Sequence, residues 1–200
     1  LMKRQSFLPR LKWQEKVESI GLTYHSHENG PYWDESAFYE FNAREIDTLE
    51  QAANALHELY LVAVSAVMEK DWWGRLGIPE AAIPTIEASW ERDAFSLYGR
   101  FDVIYDGHKP PKLLEYNADT PTALVEAAVA QWYWLEDCQP GADQFNSIHE
   151  RLIEAWKTIG QERVSFCAVQ SFPEDEQTIL YLQDTCHQAG LETRRLAVDD

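Results

Sequence analysis

Lys112-Leu113-Leu114-Glu115-Tyr116-Asn117, followed by Ala118-Asp119-Thr120-Pro121-Thr122, is the stretch that decides the fold. Its first six residues read as a strand. Alternation puts Leu113, Glu115 and Asn117 on one face and Leu114 and Tyr116 on the other. Upstream, Leu97 to Tyr105 reads as a second strand, with Arg100, Asp102 and Ile104 on one face and Phe101, Val103 and Tyr105 on the other. Asp106-Gly107 supplies a turn and Pro110-Pro111 stiffens the return, which predicts an antiparallel hairpin. With Tyr105 opposite Lys112, Asp102 falls opposite Glu115. Any register differing by two residues still gathers Arg100, Asp102, Glu115 and Asn117 on one face. Downstream, Thr120 reads as a cap and Pro121 as the first position of a helix running through Leu124, Ala128, Gln131, Trp132 and Leu135 to Pro140-Gly141.

Further from the hairpin, Asn42 reads as the N-cap of a long helix with an acidic first turn, reaching about Lys70. Ile46, Leu49, Ala53, Leu56, Tyr60, Ala63 and Val67 recur at three- and four-residue steps. Such a wide stripe is expected to pack on both a sheet and other helices. Lys3 to Lys16 reads as a short helix with scattered anchors, and Asp34-Glu35-Ser36 as a helix start. Ile86 to Arg92 and Phe145 to Ile159 read as further helices. Val164 to Val169 is an apolar run typical of a buried parallel strand. Thr178 to Ala189, stopped by Gly190, and Leu191 to Val198 complete a βαβ unit just before Asp199-Asp200. The expected class is mixed α/β (α+β), a hairpin with long helices followed by a βαβ unit. The organisation read from this is residues 1–160 as a helical and hairpin part and 161–200 as the start of a βαβ subdomain.

Charge narrows the function classes. The 200 residues carry 17 Lys+Arg against 34 Asp+Glu, a net charge of −17. Nucleic-acid binding rests on cations that neutralise phosphates, so a simple nucleic-acid binder is excluded. An anionic membrane surface is disfavoured for the same reason. No apolar run reaches the ~18 residues needed to span a bilayer, and no apolar core follows the basic start, so no signal peptide is read. Cys138, Cys167 and Cys186 are odd in number and widely spaced. They read as reduced thiols of a cytoplasmic protein, with Cys167 in the core.

The charged hairpin face admits three readings. It could be a solvated face with Arg100 pairing Asp102 or Glu115, which base rates favour. It could be a metal and phosphate site: two facing carboxylates ~5 Å apart repel unless neutralised, their oxygens and the Asn117 amide suit Mg²⁺, and Arg100 suits a phosphate. A helix N-terminus beside them favours an anion. Or it could be an acid–base carboxylate pair like that of glycoside hydrolases.

Residues 113–128, from Leu113 through the Glu115-Tyr116-Asn117-Ala118-Asp119-Thr120-Pro121-Thr122 segment to Ala128, resemble the glutathionylspermidine synthase-like family of ATP-grasp ligases. Gln131 to Asp137, Pro31-Tyr32-Trp33 and the segment from Gly141 to Asn146 fit the same family, nearest its bacterial acid–amine ligase branch. The resemblance runs along essentially the whole chain. It implies that Arg100-Phe101-Asp102 touches ATP phosphates, that Arg100 stabilises the transition state, and that Asp102, Glu115 and Asn117 hold Mg²⁺. Thr120 and Thr122 match positions against the acid substrate. The implied reaction joins a glutathione-like carboxylic acid to a polyamine-like amine through an acyl phosphate. Members run to nearly twice this length, so the chain is expected to be the N-terminal portion of such an ATP-grasp-type ligase, inactive by itself if incomplete. The ATP-grasp lysines and the lid are expected in the other half. The amidase domain of the bifunctional members is not expected.

A second class stays open beside it: a non-catalytic acidic module that holds a polyamine or peptide. Smaller features read more plainly. His25-Ser26-His27 reads as loop chemistry rather than a metal site. Glu174-Asp175-Glu176 reads as a solvated helix start with an amine contact as the rarer alternative, and Trp132 and Trp156 as core residues.

Overall fold

The computed structural model describes residues 1–169 and 172–198; Gln170, Ser171 and the closing Asp199-Asp200 lie outside the described residues. The strands are β1 (Lys3–Ser6), β2 (Ser26–His27), β3 (Gly30–Pro31), β4 (Ala37–Glu40), β5 (Arg100–Ile104), β6 (Lys112–Asn117), β7 (Arg163–Ala168) and β8 (Glu192–Ala197). The α-helices are α1 (Trp13–Ser19), α2 (Ala43–Glu69), α3 (Ile83–Glu91), α4 (Gln131–Cys138), α5 (Ile148–Trp156) and α6 (Pro173–Gln188). The mixed class is the one expected. The chain divides into two compact units, one of Leu1–Met2 with Phe41–Tyr116 and one of Lys3–Glu40 with Asn117–Asp200.

In the first unit α2 starts where its cap predicts. The Asn42 side chain accepts from the Glu45 N–H and the Glu45 carboxylate accepts from the Asn42 N–H, a reciprocal capping box. The Met2 N–H also donates to Glu45, which is buried. The expected stripe is largely half-buried, Ala63 is exposed, and none of its residues reaches full burial. Leu59 and Val62 lie outside the stripe and stand well exposed. After Asp71, in a left-handed conformation, Trp73 is buried. Trp72 carries Lys70 and Arg75 against its ring, 4.6 and 4.5 Å from the centroid.

In the second unit, Lys3–Ser6 is a strand rather than the start of a helix, paired antiparallel with β4, Lys3 opposite Glu40 and Ser6 opposite Ala37. The expected helix over 34–36 is instead a turn. Asp34 accepts from the Ser36 N–H and hydroxyl, the local capture that pulls Asp and Ser out of helices. Arg10 and Glu35 form a buried ion pair, their side chains 7% and 0% exposed. Arg10 also reaches Asp137 at 2.9 Å, and the Trp33 indole N–H donates to Glu35 at 3.1 Å.

The βαβ unit is present as expected. β7 and β8 run parallel, Arg163 opposite Glu192 and Ala168 opposite Ala197. α5 and α6 are pinned through the buried indole of Trp156, which donates to the Thr185 hydroxyl at 2.9 Å and lies edge-on to Phe166. Phe166 is buried in β7 but its neighbour Cys167 is exposed. A strand covered on one face buries only alternate residues. Trp132 departs from expectation in the same way, 43% exposed on α4. Among the described residues no helix is long and apolar enough to cross a membrane.

Candidate active site

β5 and β6 pair as a two-stranded sheet. Their connection, residues 105–111, is too short for the crossover that parallel pairing needs, so they form an antiparallel hairpin. Aromatic rings from both strands meet on one face. Phe101 stacks on Tyr116 at 4.1 Å with 21° between planes, and Tyr60 of α2 meets the Tyr116 ring at 4.9 Å. One step from Phe101 and one step back from Tyr116 lead to Asp102 and Glu115 on the other face. The Glu115 side chain is among the groups that act on the Asp102 carboxyl. The stacked rings fit a pairing of Asp102 with Glu115, the one that alternation predicts.

Arg100 is bound to Asp102 by two bonds. Its Nε donates to Oδ1 at 2.8 Å and its Nη2 to Oδ2 at 3.2 Å. Both side chains are about a third exposed, 37% and 35%. The Arg100 hydrogen bonds above all, with the Glu115 contact, hold the Asp102 carboxyl below its ordinary range. Just before the strand, burial pushes the Tyr98 phenol up to about 12, with the Arg100 charge acting the other way. The Phe101 ring is committed to Tyr116 and Tyr60. Glu115 is exposed.

Asn117, half-buried, ends β6 on the Glu115 face and heads the second unit. Within that unit Thr120 is exposed in a bend, Pro121 is buried and Thr122 is half-buried. The helix does not begin at Pro121. Ala123 takes φ 70°, outside the helical region, and the helical run starts at Leu124. Its first ladder bond runs from the Ala127 N–H to the Ala123 carbonyl at 3.2 Å. A π-turn over Glu126–Ala130 then leads into α4. Thr120 and Thr122 therefore lie in the loop before the helix, and Thr120 is not its cap.

Among the described residues no three His, Cys, Asp or Glu side chains converge as a metal cluster. The candidate donors in the first unit are two carboxylates, Asp102 and Glu115. That set fits Mg²⁺, which commonly takes one or two carboxylates and completes its shell with water and substrate phosphates. His25 and His27 are engaged elsewhere, His25 with Glu18 and Ser26 and His27 with the Gly30 carbonyl. In the acidic start of α6, Glu176 pairs with Arg195.

Two supporting residues escaped the sequence. Gly99 is needed because a Cβ there would lie 2.5 Å from the Tyr116 ring. His57 Nδ1 lies 3.4 Å from the Tyr116 hydroxyl. The lone glycine before the strand was the one available signal for the first, since glycine in such a place marks a close approach; nothing local signals His57.

Residues 4–200 match the family profile described as "Glutathionylspermidine synthase preATP-grasp". A protein of Haemophilus influenzae named "Putative acid--amine ligase" is 38% identical over 210 aligned positions, covering 100% of this chain and 53% of that protein. The "Bifunctional glutathionylspermidine synthetase/amidase" of Escherichia coli is 27% identical, covering 92% of this chain and 30% of its own length. A "Trypanothione synthetase" of Crithidia fasciculata is 30% identical over 72% of this chain and 23% of its own. The chain spans about half the length of the first of these relatives and less than a third of the other two.

Proposed function

The chain belongs to the glutathionylspermidine synthase preATP-grasp family, and from that membership we propose that it forms the metal- and phosphate-facing part of an acid–amine ligase that uses ATP and Mg²⁺. The reaction in this reading has two steps. A phosphoryl group passes to a carboxylate oxygen, and an amine nitrogen then attacks the acyl carbon, with loss of phosphate and a proton, leaving an amide. A peptide-like acid and a polyamine-like amine are the substrate classes, by analogy with the activities named for the relatives.

One observation carries the reading: alternation puts Arg100, Asp102 and Glu115 on one partly exposed face of a hairpin, with the Arg100 guanidinium bonded to Asp102 and the Glu115 side chain acting on the same carboxyl. Facing carboxylates are unfavourable in a sheet unless something neutralises them. Asp102, Glu115 and Asn117 would hold Mg²⁺, which when bound supplies positive charge to the phosphate oxygens. Arg100 would offset charge developing on the transferred group. The Arg100–Asp102 backbone would run along the phosphates, and Thr120 and Thr122 would orient the acid by hydroxyl hydrogen bonds.

The test is nucleotide-dependent ADP release by the intact protein across a panel of carboxylic acids and amines. Glu115→Gln and Asn117→Ala should each abolish release while circular dichroism stays native. Unchanged ADP release in Asn117→Ala would overturn the assignment. The charge of −17 also favours a second reading, a module that holds a polyamine without catalysis. That reading requires polyamine binding without nucleotide that weakens as salt rises.

A further inference from the structure

Arg100 and the proposed metal want the same two oxygens. The guanidinium bridges Asp102 through Nε to Oδ1 and Nη2 to Oδ2, at 2.8 and 3.2 Å. A Mg²⁺ ion bound to either oxygen would sit ~2.1 Å from it. It would then stand within a few ångströms of a positive group held on the same carboxylate. The two cations repel, so both cannot hold Asp102 at full strength.

Resting on the ligase reading above, we propose that Arg100 is a surrogate cation. It neutralises the Asp102–Glu115 pair without metal, and yields Asp102 when a metal–nucleotide complex supplies both a divalent ion and a phosphate for the guanidinium. The metal then enters together with nucleotide rather than before it. The same arginine that is proposed to stabilise transferred charge would also act as the gate of the metal site. The ion pair is partly exposed, and pairs of that kind are worth little. The gate is therefore weak: removing it should change metal affinity about three- to fivefold. Metal and nucleotide must enhance each other's binding by equal factors, and part of that mutual enhancement belongs to Arg100.

The experiment is Mn²⁺ titration of the intact protein, followed by electron paramagnetic resonance, with and without a non-hydrolysable ATP analogue. Arg100→Gln should tighten Mn²⁺ about three- to fivefold without nucleotide, and the enhancement by the analogue should shrink by the same factor. Lys112→Gln removes an equal charge from the opposite face of β6 and should leave Mn²⁺ affinity unchanged. Glu115→Gln should weaken Mn²⁺ strongly. If Glu115→Gln weakens Mn²⁺ but Arg100→Gln does not tighten it, the surrogate role is wrong and the metal reading survives. If Glu115→Gln has no effect, the metal reading fails and takes this inference with it. A measurement on the unsubstituted protein covers the case in which Arg100→Gln does not fold. The Arg100 Nε–H chemical shift, set by its bond to Asp102, should move when Mg²⁺ and the analogue are added together, and a shift left unchanged would overturn the proposal.

Discussion

Phe101 lies flat on Tyr116, ring centroids 4.1 Å apart, on the hairpin face directly behind Asp102 and Glu115. Stacked aromatic pairs across strands fix register as well as adding stability. A slip of one residue in either strand would turn that strand's two charged or polar positions to the wrong face. The apolar side of this hairpin thus decides what the charged side can do.

Gly99 should be the most sensitive position around this stack. A methyl group there would stand 2.5 Å from the Tyr116 ring, and that ring is already held by Phe101 and Tyr60. Gly99→Ala is expected to cost about 1–3 kcal/mol, the range for overpacking a fitted site. Urea denaturation of Gly99→Ala beside Gly99→Ala/Tyr116→Ala checks the cause. The second substitution removes the clash, so the added cost of the alanine should vanish in that background. A cost that persists would place the strain in the Gly99 backbone instead.

Strand alternation made the charged face legible from sequence, because period two depends only on the chain itself. The cap of α2 was legible for a similar reason: Asn42 and Glu45 meet locally. Burial was less legible. Cys167 and Trp132 looked like core residues by composition, yet their exposure depends on what covers a face, and no local pattern encodes that. The helix after the hairpin was misplaced for a different reason. Thr120-Pro121 carries a sound start signal, but Ala123 adopts φ 70°, a conformation uncommon for alanine that propensity does not foresee. The supports behind the site were harder still, since His57 and Tyr116 meet only through tertiary packing.

Acid should weaken the hairpin through Asp102. Its folded pKa lies below the unfolded value, chiefly because of the Arg100 hydrogen bonds. The stability linked to it is therefore present above the unfolded pKa, near 3.9, and is lost as pH falls through the folded value. The size is small because the pair is a third exposed and screened by solvent. Denaturation midpoints of the unsubstituted protein and Arg100→Gln, followed from pH 7 to pH 2.5, should therefore converge as the pH drops. A gap that stays constant over that range would show that Arg100 stabilises through packing rather than charge.

The buried pair of Arg10 and Glu35 should respond far more strongly. Both side chains are almost wholly enclosed, and the Trp33 indole also donates to Glu35. Removing one member of a buried pair strands the other charge, at about 3–5 kcal/mol. Asp137 still reaches Arg10 at 2.9 Å, so Glu35→Ala should fall near the lower end, about 3 kcal/mol. Replacing both partners, as Arg10→Met with Glu35→Leu, should recover much of the loss. Guanidinium denaturation of the three variants gives the comparison. A double variant no more stable than Glu35→Ala would mean that shape rather than charge dominates at this site.

Thiol reactivity reports on the outer face of the parallel pair. Cys167 is exposed on β7, whereas Cys138 is half-buried and Cys186 is buried. Burial pushes the thiols of Cys138 and Cys186 up, which lowers their reactive thiolate fraction. A neutral disulfide reagent should therefore modify Cys167 first, Cys138 more slowly, and Cys186 only on unfolding. Peptide mapping of the labelled protein gives the order. If Cys186 reacts early, the buried face of α6 that holds Cys186 and Thr185 is not closed as described. If Cys167 is protected in the intact protein, something other than the described residues covers that side of the sheet. The protected surface would then mark where it lies.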